Sequence, residues 1–171
     1  IVFTVSSLTA LADTPKIIFE ENKNQWPEQV KFQANIRGGS VFFENNTFTY
    51  VYVENQEHNH SDTLSIKTHA YKVEFLHTRN NVEISGNRKL EGVRNYYRGN
   101  DPTHWASGVQ LYSAINYKNI YDGIDMKIYN SEENLKYDLI VKPGTSLNGV
   151  AMRYSGPDEM YLEHGHLFIK T

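Results

Sequence analysis

Along residues 16–171 apolar side chains alternate with polar ones in short runs, and hardly a stretch repeats at the three-to-four spacing of a helix. Such a chain folds as strands. In His69–His77 the residues Tyr71, Val73 and Phe75 point one way and Lys72 and Glu74 the other, the pattern of a half-buried strand. Val41–Glu44 and Thr47–Val53, rich in β-branched and aromatic residues, flank Asn45-Asn46 and predict a hairpin whose two asparagines take the positive φ of a primed turn. Further strands are expected at Val82–Ser85, ahead of a turn at Gly86-Asn87, and at Ala114–Tyr121, Ile124–Asn130, Leu135–Lys142, Val150–Tyr154 and Leu167–Thr171. Roughly ten short strands with turn signals at this spacing predict an all-β fold, an antiparallel β-sandwich-like domain.

The 171 residues suit one domain with a sizeable core. Aromatics at 13% exclude a disordered chain, and a formal charge of −3 offers no basic field for a phosphate backbone, so no nucleic-acid partner is expected. Cysteine is absent, which removes disulfides, thiolate metal sites and cysteine nucleophiles together. Ile1–Leu11 is apolar but too short to span a bilayer, and the small residues Ala10 and Ala12 precede Asp13-Thr14-Pro15. Residues 1–12 therefore read as a truncated signal peptide, against the alternative of a first strand burying Phe3 and Val5, and residues 13–171 as a single β-rich domain. No other stretch reads as a membrane span, and the location expected is the cell surface or the medium.

Several motifs carry a resemblance. Phe19-Glu20-Glu21-Asn22-Lys23-Asn24-Gln25-Trp26-Pro27, then Val30-Lys31-Phe32 and Gly38-Gly39-Ser40-Val41-Phe42, is similar to the opening of an uncharacterised domain at the N-terminus of large secreted bacterial proteins. Asn95-Tyr96-Tyr97-Arg98-Gly99-Asn100-Asp101-Pro102 with Trp105, Tyr121-Asp122-Gly123-Ile124-Asp125, and Tyr137-Asp138-Leu139-Ile140-Val141-Lys142-Pro143-Gly144 continue it in order. Asn24 stands where that pattern usually has Gly, and Asp122 where it often has Pro; both suit turns. In that family the domain often precedes β-propeller-type repeats, or immunoglobulin-like modules and a gliding-motility-associated sorting domain. The resemblance implies downstream domains of the same polypeptide as partners, and at least one further strand beyond Thr171.

Chemistry is sparsely encoded. His58-Asn59-His60 with Asp62, and His164-Gly165-His166 with Glu163, have the spacing of metal ligands on a strand but lie in polar loops, so no metal is assigned. Asp101, Asp122 and Asp125 lack the spacing of a calcium loop. Asp122, Asp125 and Asp138 lie near strand ends, where turn capping competes with the paired-carboxylate chemistry of glycan hydrolysis. Neither a Gly-x-Ser-x-Gly elbow nor a phosphate-binding glycine loop occurs. Trp105, Tyr96, Tyr97 and Tyr112 are the candidate binding residues, because ring faces with polar edges suit glycans and protein surfaces alike. Trp26, ahead of Pro27, is expected as a buried anchor of the N-terminal arm. The reading is a non-catalytic module without cofactor, serving adhesion or the binding of a glycan or surface protein. The alternatives are a glycan-active enzyme using Asp125 and Asp138, and a structural cap for downstream repeats.

Overall fold

The computed structural model describes residues 17–54, 67–131 and 134–171. The expected signal peptide and the His58/His60 pair lie outside the described residues. Twelve strands run in chain order: β1 (Phe19–Glu21), β2 (Phe32–Ile36), β3 (Gly39–Phe43), β4 (Thr47–Glu54), β5 (Lys67–Leu76), β6 (Glu83–Tyr96), β7 (Ala106–Tyr121), β8 (Ile124–Ser131), β9 (Asn134–Val141), β10 (Ala151–Ser155), β11 (Glu159–Glu163) and β12 (His166–Lys170). The only helical turn among the described residues is a 3-10 turn at Pro102–His104. The protein is all-β, as the alternation predicts, and every pairing is antiparallel.

Ten strands form one sheet in the order β10-β5-β4-β3-β2-β1-β7-β8-β9, with β6 on the other edge of β7; β11 and β12 make a separate hairpin. Strand β7 is the junction. One of its edges pairs with β6, while the other is shared end to end, by β1 at Leu111 and Tyr112 and by β8 from Ala114 onward. The sheet curls so that its ends face each other: the Phe75 and Tyr137 rings meet at 6.1 Å, and the Tyr137 hydroxyl lies 3.7 Å from Met152 Sδ. Between the two halves sits the core, with Phe19, Phe43, Phe75, Ile115, Tyr117, Met126 and Ile128 fully buried. Each such side chain contributes roughly 2–3 kcal/mol by leaving water. Tyr117 keeps its hydroxyl satisfied there by donating to the Glu44 carbonyl at 2.9 Å.

The β3–β4 hairpin turns where expected, and Glu44 N donates to Thr47 O at 2.9 Å. Neither Asn45 nor Asn46 takes a positive φ, however. This turn is held from outside, since the Asn46 carbonyl accepts from Phe75 N of β5 at 2.8 Å. Nor does the chain turn at Gly86-Asn87. Strand β6 runs straight through, because Gly86 leaves room for the Tyr112 ring of the neighbouring strand: a Cβ there would lie 2.3 Å from two of its carbons. Strand β11 has no counterpart in the sequence reading, as both faces of its hairpin are open and its residues follow no burial alternation.

Candidate functional site

On the outer face of the sheet the register aligns Leu111, Glu20, Gln33 and Phe42 across β7, β1, β2 and β3. This row should face water, yet Glu20 is only 1% exposed. The 22–30 loop and the end of β6 cover it. Asn22 builds that loop: its amide nitrogen reaches the carbonyls of Trp26, Pro27 and Val30 at 2.8–3.0 Å, and its Oδ1 accepts from Asn24 N and Trp26 N. Gln25 adds a bond from Nε2 to the Glu21 carbonyl at 2.7 Å and accepts from Lys23 N. Asn24 has φ +80, the conformation that explains Gly at this place in the motif. The Glu-Asn-Lys-Asn-Gln-Trp-Pro signature is therefore a self-bonded loop whose product is the placement of Trp26.

Trp26 is half-buried and stands outside the core, a correction to its expected role. It meets Phe42 edge-on at 6.1 Å and Tyr96 at 5.7 Å, sealing the outer face instead of the space between the halves. Beneath it the Glu20 carboxylate accepts from the Arg94 guanidinium and from the Tyr96 hydroxyl. Burial, followed by the bond to Glu20, pushes the Tyr96 phenol above its ordinary range. Arg98 lies 5.3 Å over the Tyr96 ring. Neighbouring Glu21 accepts from Gln110 N at 3.1 Å and pairs with Lys23 at 3.3 Å.

Tyr96 pairs with Ala106, so residues 97–105 form the exposed loop joining β6 to β7. Tyr97 and Trp105 stand at its neck, 63% and 42% exposed, with ring centroids 5.8 Å apart and nearly perpendicular. Two devices hold them. Trp105 Nε1 donates to the Gly99 carbonyl at 3.3 Å, and Asp101 caps the 3-10 turn by accepting from Thr103 N at 2.9 Å and Thr103 Oγ1 at 2.7 Å. Those bonds from Thr103, the hydroxyl's first, lower the Asp101 carboxyl below its usual range.

Of the four predicted binding residues, the structure thus brings Tyr97 and Trp105 together in the open, whereas the Tyr96 ring is half-buried against Trp26 and over Glu20. Tyr112 lies apart. It packs edge-on against Phe32 at 5.8 Å and over Gly86, supporting the sheet rather than offering a ring face. Glu20 and Arg94 escaped the sequence reading, since an acidic residue in Glu-Glu-Asn and an arginine in a polar strand both read as solvated.

The carboxylates considered for catalysis have other partners. Asp125 accepts from Asn119 N at 2.7 Å, Asp122 pairs with Arg79 at 2.9 Å, and Asp138 accepts from the Tyr129 hydroxyl at 3.4 Å. Asp125 and Asp138 share the outer face of the β8–β9 pair only diagonally, with Lys127 directly opposite Asp138. His164 sits at φ +49 in the β11–β12 turn, and no group of three or more His, Cys, Asp or Glu able to hold a metal occurs among the described residues. No helix among them is long and apolar enough to cross a membrane.

No curated protein and no solved structure matches the chain. Residues 19–171, which take in the Asn22 loop, the Tyr96–Trp105 segment and the core strands, match the family described as Domain of unknown function (DUF7948), and the chain belongs to that family.

Proposed function

We propose that this domain is a non-catalytic binding module of an exported bacterial protein, which presents the 97–105 loop to a glycan or protein at the cell surface. The observation that carries this reading is the exposed Tyr97–Trp105 pair, held at the loop neck by the Gly99 and Asp101 bonds. Aromatic rings kept in water at such a cost in apolar exposure are typical of recognition surfaces. The engagement of Asp122, Asp125 and Asp138 by neighbouring groups speaks for binding over glycan hydrolysis. The resemblance adds the setting of large secreted proteins with propeller-type repeats or a gliding-motility sorting domain, and the apolar N-terminal segment ending at Ala12 adds export.

The test measures retention of the wild-type chain, Tyr97→Ala and Trp105→Ala on a panel of insoluble polysaccharides and on cell-surface protein extracts, alongside thermal melts. Retention that falls at least tenfold in both variants, with unchanged melts, supports the reading. Variants retained like wild type, or a wild-type chain retained by nothing in the panel, refute it. Sequencing the first residues of the protein released by its host tests the cleavage after Ala12.

One observation favours a second reading, that of a structural cap against a neighbouring module: the β11–β12 hairpin leaves Met160, Leu162, Leu167 and Phe168 exposed, Leu162 at 74%. Hydrogen exchange of that hairpin in the isolated domain and in a longer version of the protein separates the two, because a cap gains protection there and a free binding module does not.

A further inference from the structure

A strand with one face in water alternates, as β5 does with Lys72 between Tyr71 and Val73, but the β11–β12 hairpin is apolar on both faces. Its register sets Met160 opposite Ile169 and Leu162 opposite Leu167 on one face, and Tyr161 opposite Phe168 on the other. The last two rings stack, 5.0 Å apart and 11° from parallel. Ile169 packs against the core, while Met160, Tyr161, Leu162, Leu167 and Phe168 are exposed. The hairpin pairs with no strand of the main sheet, and two strands alone are marginal in water.

Another free edge of the fold is guarded. Strand β6, unpaired on its outer side among the described residues, shifts register between Lys89 and Val93 and again between Arg94 and Tyr96, and its Arg88 and Gly92 take positive φ. Bulges and charges of this kind keep foreign strands away. Strand β12 carries no such device at its centre, where Leu167, Phe168 and Ile169 follow one another in regular register. Charge decides which edge of the hairpin can meet a second copy. Antiparallel pairing of β11 with its own copy about Tyr161 would set Glu159 opposite Glu163 twice, and like charges directly opposite are destabilising. The same pairing of β12 about Phe168 sets Phe168 on Phe168, Leu167 on Ile169 and His166 on Lys170. Across the four strands each end row then reads Glu159, Lys170, His166, Glu163, with basic side chains inside and acidic ones outside. Lys170 and Glu159 already pair at 2.5 Å within the hairpin. The middle row becomes Tyr161, Phe168, Phe168, Tyr161, four aromatic rings in line on one face.

We propose that β12 is a self-association edge, through which two copies of the chain pair antiparallel about a two-fold axis at Phe168 and form a four-stranded sheet with β11 outermost. The contact is isologous, so it closes at the dimer and does not grow into a fibre. It uses no residue of the Tyr97–Trp105 loop and is independent of the ligand proposed there. Sedimentation velocity of the chain should show dimer forming by about 100 µM. Because the chain has no cysteine, single cysteines report the register. Phe168→Cys places two Cα atoms about 5 Å apart at the axis and should form an interchain disulfide in air. Tyr161→Cys places them three strand spacings apart, about 14 Å, and should not. Phe168→Lys and Phe168→Glu should each weaken the dimer at least tenfold, as like charges meet at the axis, and an equimolar mixture of the two should restore it. Circular dichroism of each at dilution checks the fold; if either charged variant unfolds, the cysteine pair decides alone. A wild-type chain that stays monomeric overturns the proposal and leaves the hairpin to a neighbouring module. Cross-linking of Tyr161→Cys as readily as Phe168→Cys, or a mixture of folded charge variants that stays monomeric, overturns it as well.

Discussion

Gly86→Ala tests a place where the sheet depends on a missing side chain. The new Cβ would lie 2.3 Å from Tyr112 Cδ1 and Cε1 and 2.5 Å from Cγ, against the roughly 3.5–4.0 Å of ordinary carbon contact. The ring must therefore move by more than an ångström, and it is not free to do so: Phe32 lies edge-on against it at 5.8 Å. Overpacking of this kind costs about 1–3 kcal/mol. Gly86 has no positive φ, so alanine is otherwise allowed and restricts the unfolded chain, which offsets about 0.4–1 kcal/mol. The net expectation is a loss of about 1–2 kcal/mol. In a Tyr112→Ala background the clash is gone and only the entropy effect remains, so the same substitution should stabilise. Urea melts of wild type, the two single variants and the double variant measure the difference, a coupling of about 2 kcal/mol. If Gly86→Ala is neutral or stabilising with Tyr112 present, the ring does not rest on the glycine, and Tyr112 regains its candidacy as a ligand-binding group.

Glu20→Ala should cost about 2 kcal/mol in urea melts, since it leaves the Tyr96 hydroxyl beneath Trp26 without its acceptor, while the part-exposed Arg94 guanidinium turns to water; a loss under 1 kcal/mol would mean the carboxylate is not a structural anchor. Asn22→Asp keeps the acceptor but turns the amide donor against three carbonyls, so it should destabilise by about 2 kcal/mol and red-shift Trp26 emission in a Trp105→Phe background; an unshifted spectrum would refute the loop's role in placing Trp26. Burial, reinforced by the Glu44 charge, holds the Tyr117 phenol well above its ordinary range. Below pH 10 both folded and unfolded chains keep this proton; above it only the folded chain does, so stability falls as pH rises, by about 1.4 kcal/mol per pH unit for this group. Absorbance titration near 295 nm should show Tyr117 ionising only with unfolding, and Tyr117→Phe should flatten that part of the alkaline stability profile.

Strand alternation is a local property, and where it governed the structure it was legible. Tyr71, Val73 and Phe75 are buried as their spacing requires, with Lys72 exposed between them. What remained hidden depends on residues distant in sequence. Gly86-Asn87 has the composition of a turn and becomes strand because Tyr112, on β7, occupies the space above the glycine. Glu20 is buried because Trp26 and Tyr96 converge over it, and Tyr96 arrives from the far end of β6. The Tyr97–Trp105 pair was legible as two aromatics around an Asn-Asp-Pro turn. Its separation from Tyr112 was not, since strand register decides which rings share a face.

The shared edge of β7 also sets an order of assembly. Strands β2 to β5 pair with their sequence neighbours and can form as hairpins soon after they leave the ribosome. Strand β1 pairs on one side with β2, but its other partner is Leu111 and Tyr112, so that edge stays bare until β7 has been synthesised. Until then the nascent sheet carries an open edge of the kind that recruits other chains. When β7 arrives it closes the gaps with β1 and β6, and β8, made next, fills the rest of the shared edge and joins the two halves of the sheet around a common core. Shortened chains that end before β7 would keep that edge open, and aggregation is the outcome expected of them.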